Sequence, residues 1–273
     1  MFFWCAHLGD GVGFFSYLRG AMKNRFVIVF LLLFTSLSLC AQGIYHPGDV
    51  VPEPYLKVFG YEHFFRITPV SDDIQALMKA FSSKDGIFPI EDLRYLRVLH
   101  RDKDGDAIVG EMVCAKSIAD DLLEIFRELY LASYPIERMR LVDYYGGDDE
   151  ASMQDNNSSC FNYRPITAGG RTSKHGFGLA VDINPKYNPY YKVKESGRTI
   201  VRPEGSEEYL DRNAVFPYKI MKGDLCYRLF RQHGFQWGGD WASGKDYQHF
   251  EKLMLSAPKP QSDSRSLPAG RRR

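Results

Sequence analysis

A chain of 273 residues with 44% hydrophobic and 14% aromatic content has the apolar material for a full core in one or two domains. Its 35 basic and 34 acidic residues leave a net charge of +1, which excludes bulk electrostatic attraction to nucleic acid as a basis for function. None of the five cysteines lies in a Cys-x-x-Cys pair, so neither a zinc-thiolate cluster nor a redox motif is present.

The beginning of the chain reads as a targeting segment. Lys23-Asn24-Arg25 precedes an apolar run over 26–39 and then Cys40-Ala41-Gln42, the order of a secretory signal. About 14 apolar residues fall short of the roughly 20 that span a bilayer, so cleavage is expected, with no stable membrane insertion afterwards. Residues 22–41 are assigned to the signal peptide and 1–21 to an over-extended start. Of the cysteines beyond it, Cys114, Cys160 and Cys226, one pair can bridge in an exported protein, but an odd count favours buried free thiols equally.

From 42 to 69 the chain is rich in Pro and aromatics without periodicity, and an irregular arm is expected. Ser71-Asp72-Asp73 opens a helix with Ile74, Leu77, Met78 and Phe81 on one face; the arm and this helix make up 42–95, packed on a domain over 96–255. Residues 95–100 alternate as a strand, turn over Asp102 to Asp106 and resume at Ile108-Val109. The acidic turn is a hairpin rather than a calcium loop, because its glycine and glutamate spacing is wrong for one. A second helix starts near Ser117 with Leu122, Ile125, Phe126, Leu129 and Tyr130 inward and Pro135 after it. Strands are expected over 139–145 and 160–164, with a polar loop over 146–159 between them. A Tyr/Pro/Gly-rich loop over 187–217 suits a cleft wall. A helix over 224–233, with Leu225, Leu229 and Phe230 inward, stops at Gly234. Strands over 235–241 and 249–253 close the domain, and 256–273 lacks the apolar content to fold. Without a regular βαβ rhythm, the class is α+β, a small and mainly antiparallel sheet flanked by helices.

Two stretches carry the chemistry. Ser173-Lys174-His175-Gly176-Phe177-Gly178-Leu179-Ala180-Val181-Asp182 and Asp246-Tyr247-Gln248-His249 supply two imidazoles and two carboxylates. That is the inventory of a catalytic zinc site with three protein ligands and a spare proton carrier. Asp182 interrupts an apolar run, where an uncompensated carboxylate is costly, so it needs a cation. On one straight strand 175 and 182 would face opposite sides; Gly176 and Gly178 allow the bend that brings them together. Gly178 and Ala180 are expected to clear the floor above the sheet. His175, Asp182 and His249 are then the ligands of Zn²⁺, and Asp246, in the turn before the strand that His249 starts, is general base and acid. Trp237, Trp241 and Phe250 are expected as apolar walls.

The pattern Ser-x-His-x-x-Gly-x-Ala-x-Asp at 173–182, with acid-x-x-His at 246–249, resembles the zinc peptidases that include D-alanyl-D-alanine carboxypeptidases and dipeptidases and the L-alanyl-D-glutamate endopeptidases of phage lysins. The resemblance implies the fold shared with the hedgehog signalling domain, and zinc on His175, Asp182 and His249. It places Arg164 near the substrate as an oxyanion or carboxylate partner. It implies peptidoglycan stem peptides as substrate and secretion or export to a bacterial periplasm. Carboxypeptidases of this kind usually carry Glu-x-x-His; Asp246 tilts the expectation toward an L-Ala-D-Glu bond. Ser173 is expected to hydrogen-bond near the site, and Asp240 to support a histidine or occupy a turn. The rival reading is a non-catalytic, zinc-stabilised binding module.

Overall fold

The computed structural model describes residues 45–83, 89–163 and 173–253. The expected leader and start, the tail over 256–273 and Arg164 lie outside the described residues.

Burial builds the central unit. Strands β2 (Leu93–Arg101) and β3 (Ala107–Ala115) pair antiparallel over their whole length. Their turn is closed by the Asp102 carboxylate, which accepts from the backbone N–H groups of Asp104 and Asp106 at 3.0 Å each. The hairpin expectation holds. Helices α1 (Glu53–Phe59), α2 (Asp72–Ala80) and α3 (Ala119–Leu131) follow their apolar stripes. On α3, Leu122, Ile125, Phe126, Leu129 and Tyr130 are all buried against the sheet, each worth roughly 1.5–3 kcal/mol of apolar burial.

The described part of the expected arm, 45–69, is more ordered than its composition suggests. Besides α1 it holds β1 (Arg66–Thr68), which joins β2 as the edge strand. The strand expected over 139–145 is confined to β4 (Arg138–Met139). Beyond it the chain leaves for a 3₁₀ turn, Val142–Tyr145, because the buried Asp143 carboxylate accepts from the Ser82 N–H at 3.0 Å and Gly146 (φ 67°) closes the turn. The expected polar loop contains a helix, α4 (Asp149–Gln154), capped by the Asp148 carboxylate, and a short strand, β5 (Asn157–Ser158), parallel to β4. The strand expected over 160–164 is not one over its described residues: 160–163 lie outside any ladder, tied to Val113, His175 and Ser82 by single backbone bonds.

Two further antiparallel sheets carry the site. One has the order β6 (Ala180–Asp182), β11 (His249–Glu251), β9 (Gln236–Trp237); the other has β10 (Lys245–Asp246), β7 (Tyr190–Val193), β8 (Thr199–Arg202). The expected loop over 187–217 therefore includes a hairpin. Its remainder is gathered by Arg212, whose guanidinium donates to the Tyr187, Tyr209 and Ile220 carbonyls and to Asn188 Oδ1, and lies 4.5 Å from the Tyr247 ring. Helix α5 (Leu225–Gln232) is capped by Asp224, with Cys226 and Phe230 as its buried residues and Leu225 and Leu229 packed at the margin. The class is α+β, with several small antiparallel sheets in place of the single one expected. Cys114, Cys160 and Cys226 are buried free thiols. No described helix is long and apolar enough to cross a membrane.

Candidate metal centre

Strand register assembles the site. His249 is the direct partner of Asp182 across β11 and β6, so their side chains leave the same face side by side. Their neighbours Phe250 and Val181 form the next pair and point into the core. His175 arrives differently, from a 3₁₀ turn (Lys174–Phe177) opened by Ser173, whose hydroxyl accepts from the His175 N–H at 3.3 Å. Gly178 follows at φ 63°, and a Cβ there would stand 2.6 Å from the Ala115 nitrogen. The bend thus depends on Gly178, as expected, both for its left-handed backbone and for its close packing on β3. The expectation that Gly178 clears the floor above the site is corrected.

The three side chains converge. His175 Nε2 lies 3.2 Å from Asp182 Oδ2, His249 Nδ1 lies 3.0 Å from Asp182 Oδ1, and the two nitrogens are 3.2 Å apart. All three residues are buried, and they form a cluster able to hold a metal ion. Edges of roughly 3.3–3.4 Å are what a tetrahedron with zinc bonds of 2.0–2.1 Å requires. The outer ring nitrogens set the tautomers. His175 Nδ1–H donates to the Cys160 carbonyl at 2.7 Å, and His249 Nε2–H donates to Glu251 Oε2 at 3.4 Å, so both inward nitrogens present lone pairs to the same point. Two lone pairs and a carboxylate facing one point form a donor set that fits a divalent cation.

The electrostatics agree. Burial alone would push the Asp182 carboxyl up, but the imidazoles of His175 and His249 hold it well below the usual carboxylate range. Burial would lower His249, yet hydrogen bonds to Asp182 and Glu251 and the charge of Asp246 raise it above the ordinary imidazole value. The site favours positive charge at its centre.

The cluster opens onto a cleft of about 780 Å³. Asp246 lines it, as do Tyr190, Arg202, Trp241, Glu251 and the N-terminal turn of α4. Asp246 occupies the short strand β10 instead of a turn, and His249 does begin its strand. Gly238 permits this placement, since a Cβ there would stand 2.7 Å from the Asp246 Cβ. Trp241 is a wall of the cleft, 5.3 Å from the His249 ring, whereas Trp237 and Phe250 belong to the core. Asp240 pairs with Lys222 at 2.8 Å and accepts from the Tyr227 hydroxyl at 3.4 Å, with no described histidine as its partner. Sequence reasoning passed over Glu251, Tyr190 and Arg202. Glu251 had a signal, the two-residue alternation that puts it on the face of His249; the other two depend on a hairpin register that no pattern announces.

Neither a curated protein nor a solved structure matches the chain, so the likeness to the hedgehog domain rests on the sequence resemblance alone. Residues 167–252, which contain the three clustered residues and Asp246, match the family model described as D-alanyl-D-alanine carboxypeptidase, so that segment is similar to a family of zinc metallopeptidases.

Proposed function

We propose that the chain, exported from the cytoplasm, hydrolyses an amide bond in the stem peptides of bacterial peptidoglycan, with zinc held by His175, Asp182 and His249. The single observation that carries this is the buried triangle of donor atoms, with edges of 3.0–3.2 Å, at the floor of a cleft whose wall includes Asp246. A purely structural zinc site closes its fourth position with a ligand; three donors facing an open cleft suit hydrolysis instead.

Zinc bound there supplies an activated water and polarises the scissile carbonyl. The remaining work falls to the chain. Asp246 takes the proton of the attacking water and returns it to the leaving amine. Trp241 shields the His249 side of the cleft from bulk water. Arg164, assigned by resemblance, binds a substrate carboxylate or the developing oxyanion.

The bond cut is the terminal D-Ala linkage or the L-Ala-D-Glu linkage. The family description favours the first and the aspartate at 246 the second. Purified muropeptides incubated with the zinc-loaded protein and read by mass spectrometry separate them: loss of terminal alanine marks a carboxypeptidase, release of the stem beyond its first residue an endopeptidase. Chelator is expected to abolish either product. Asp246→Asn is expected to keep zinc and lose about 10²–10⁴-fold in turnover; full turnover in that variant removes Asp246 from the mechanism.

A further inference from the structure

Three residues of the cleft share one row of one sheet. Asp246 is the register partner of Tyr190 across β10 and β7, and Tyr190 is the partner of Arg202 across β7 and β8. Cross-strand partners project from the same face, with neighbouring strands about 4.8 Å apart. The row therefore sets a carboxylate, a phenol and a guanidinium side by side along the cleft wall, with the carboxylate at the end nearest His249.

Arg202 is held by Glu204 at 2.7 Å and Glu150 at 3.7 Å, which ties the β7–β8 hairpin to α4. Tyr190 is half-buried and lines the cleft with Asp246. Burial, and then the negative charge of Asp246, raise its pKa above the ordinary phenol value, so the hydroxyl stays a donor at neutral pH. A protonated phenol beside the proton carrier and lining the cleft is placed to serve the substrate.

We infer that Tyr190 is a catalytic residue of the amide hydrolysis, its O–H donating a hydrogen bond to the oxygen of the scissile carbonyl as that oxygen gains negative charge. The inference rests on the hydrolytic reading above. As the water oxygen bonds to the carbonyl carbon, the C=O π pair moves onto oxygen, and Tyr190 stabilises it without giving up its proton. When the pair returns, the C–N bond breaks and the amine leaves with the proton that Asp246 took from the water. A preorganised donor of this kind acts on the transition state more than on the bound substrate.

The test is Tyr190→Phe, which keeps the ring and the strand. Its kcat on the muropeptide that the wild type cleaves should fall by about 10²-fold, with KM within about twofold and zinc content unchanged by atomic absorption. Calorimetry with the phosphinate isostere of that bond, a tetrahedral anion, should show at least about tenfold weaker binding by the variant. Unchanged kcat, a loss confined to KM, unchanged phosphinate affinity or loss of zinc would each overturn the assignment. If the wild type cleaves and the variant matches it, only Tyr190 is misassigned; if zinc-loaded wild type leaves every muropeptide intact, the hydrolytic reading falls and this inference with it.

Discussion

The β2–β3 hairpin with α3 and the metal centre are held together by different physics. The hairpin pairs nine residues with nine and lies under a helix that buries six apolar side chains, so its stability is a sum of many non-directional contacts. The centre rests on strands of two or three residues and on a few directed bonds to His175 and His249. Buried charge there costs stability until a cation compensates it. The difference teaches that the fold can be weakened without moving the donors, and the donors altered without unfolding the chain. Phe126→Ala should break the comparison if it is wrong. Truncating this ring, 1% exposed in the core, should cost about 3–5 kcal/mol in denaturant unfolding, while the folded fraction binds zinc in unchanged stoichiometry. A parallel loss of zinc would mean that the two regions are not separable.

The hairpin does bury two polar side chains, Glu111 on β3 and His100 on β2, and the second makes the comparison pH-dependent. His100 is buried in β2 at 2% exposure, its Nδ1–H donating to the Ile136 carbonyl at 2.7 Å. Burial pushes its pKa down from 6.5 to about 4, against smaller upward pulls from that hydrogen bond and from Asp102. The unfolded chain therefore takes up a proton below about pH 6.5 that the folded chain refuses until about pH 4. Stability attributable to His100 is full above pH 6.5 and falls as pH drops through that window, by on the order of 3 kcal/mol at its acid end. Urea midpoints of wild type and His100→Gln between pH 4 and 7 should converge toward acid; parallel curves would show that His100 does not carry this dependence.

The same contrast explains what could be read from the sequence. Leu122, Ile125, Phe126 and Leu129 repeat at helical spacing and are buried as expected, because burial follows periodicity. His175, Asp182 and His249 were legible for a different reason: their residue types and their setting among glycines demand a cation, and they meet in space. The misses share one cause. Residues 139–145 read as a strand, yet the Asp143 carboxylate accepts from the Ser82 backbone N–H and 142–145 form a 3₁₀ turn. Gly178 looked like a space-maker for the site and is instead a packing contact with β3. Tyr190 and Arg202 enter the cleft through a pairing between segments whose local pattern reads as loop. Long-range partners override local pattern wherever elements are only two to four residues long.

Glu251 gives the finest test of the division between regions, because it touches the centre without belonging to the donor triangle. It follows His249 by two positions on β11 and so shares its face, and its carboxylate accepts from His249 Nε2–H at 3.4 Å. The hydrogen bond to His249 also holds the Glu251 carboxyl below the usual range, so the partner is anionic and reinforces the basicity of Nδ1. Glu251→Gln keeps an acceptor for Nε2–H but removes the charge; Glu251→Ala removes both. Zinc affinity measured by competition with a chelator should fall about tenfold in the first and nearer 100-fold in the second, with denaturant midpoints of the zinc-free proteins little changed. Equal losses in the two variants would assign the effect to charge alone, and a graded loss shows that the hydrogen bond orienting the ring contributes as well. No loss in either would leave the strand register alone responsible for aiming His249.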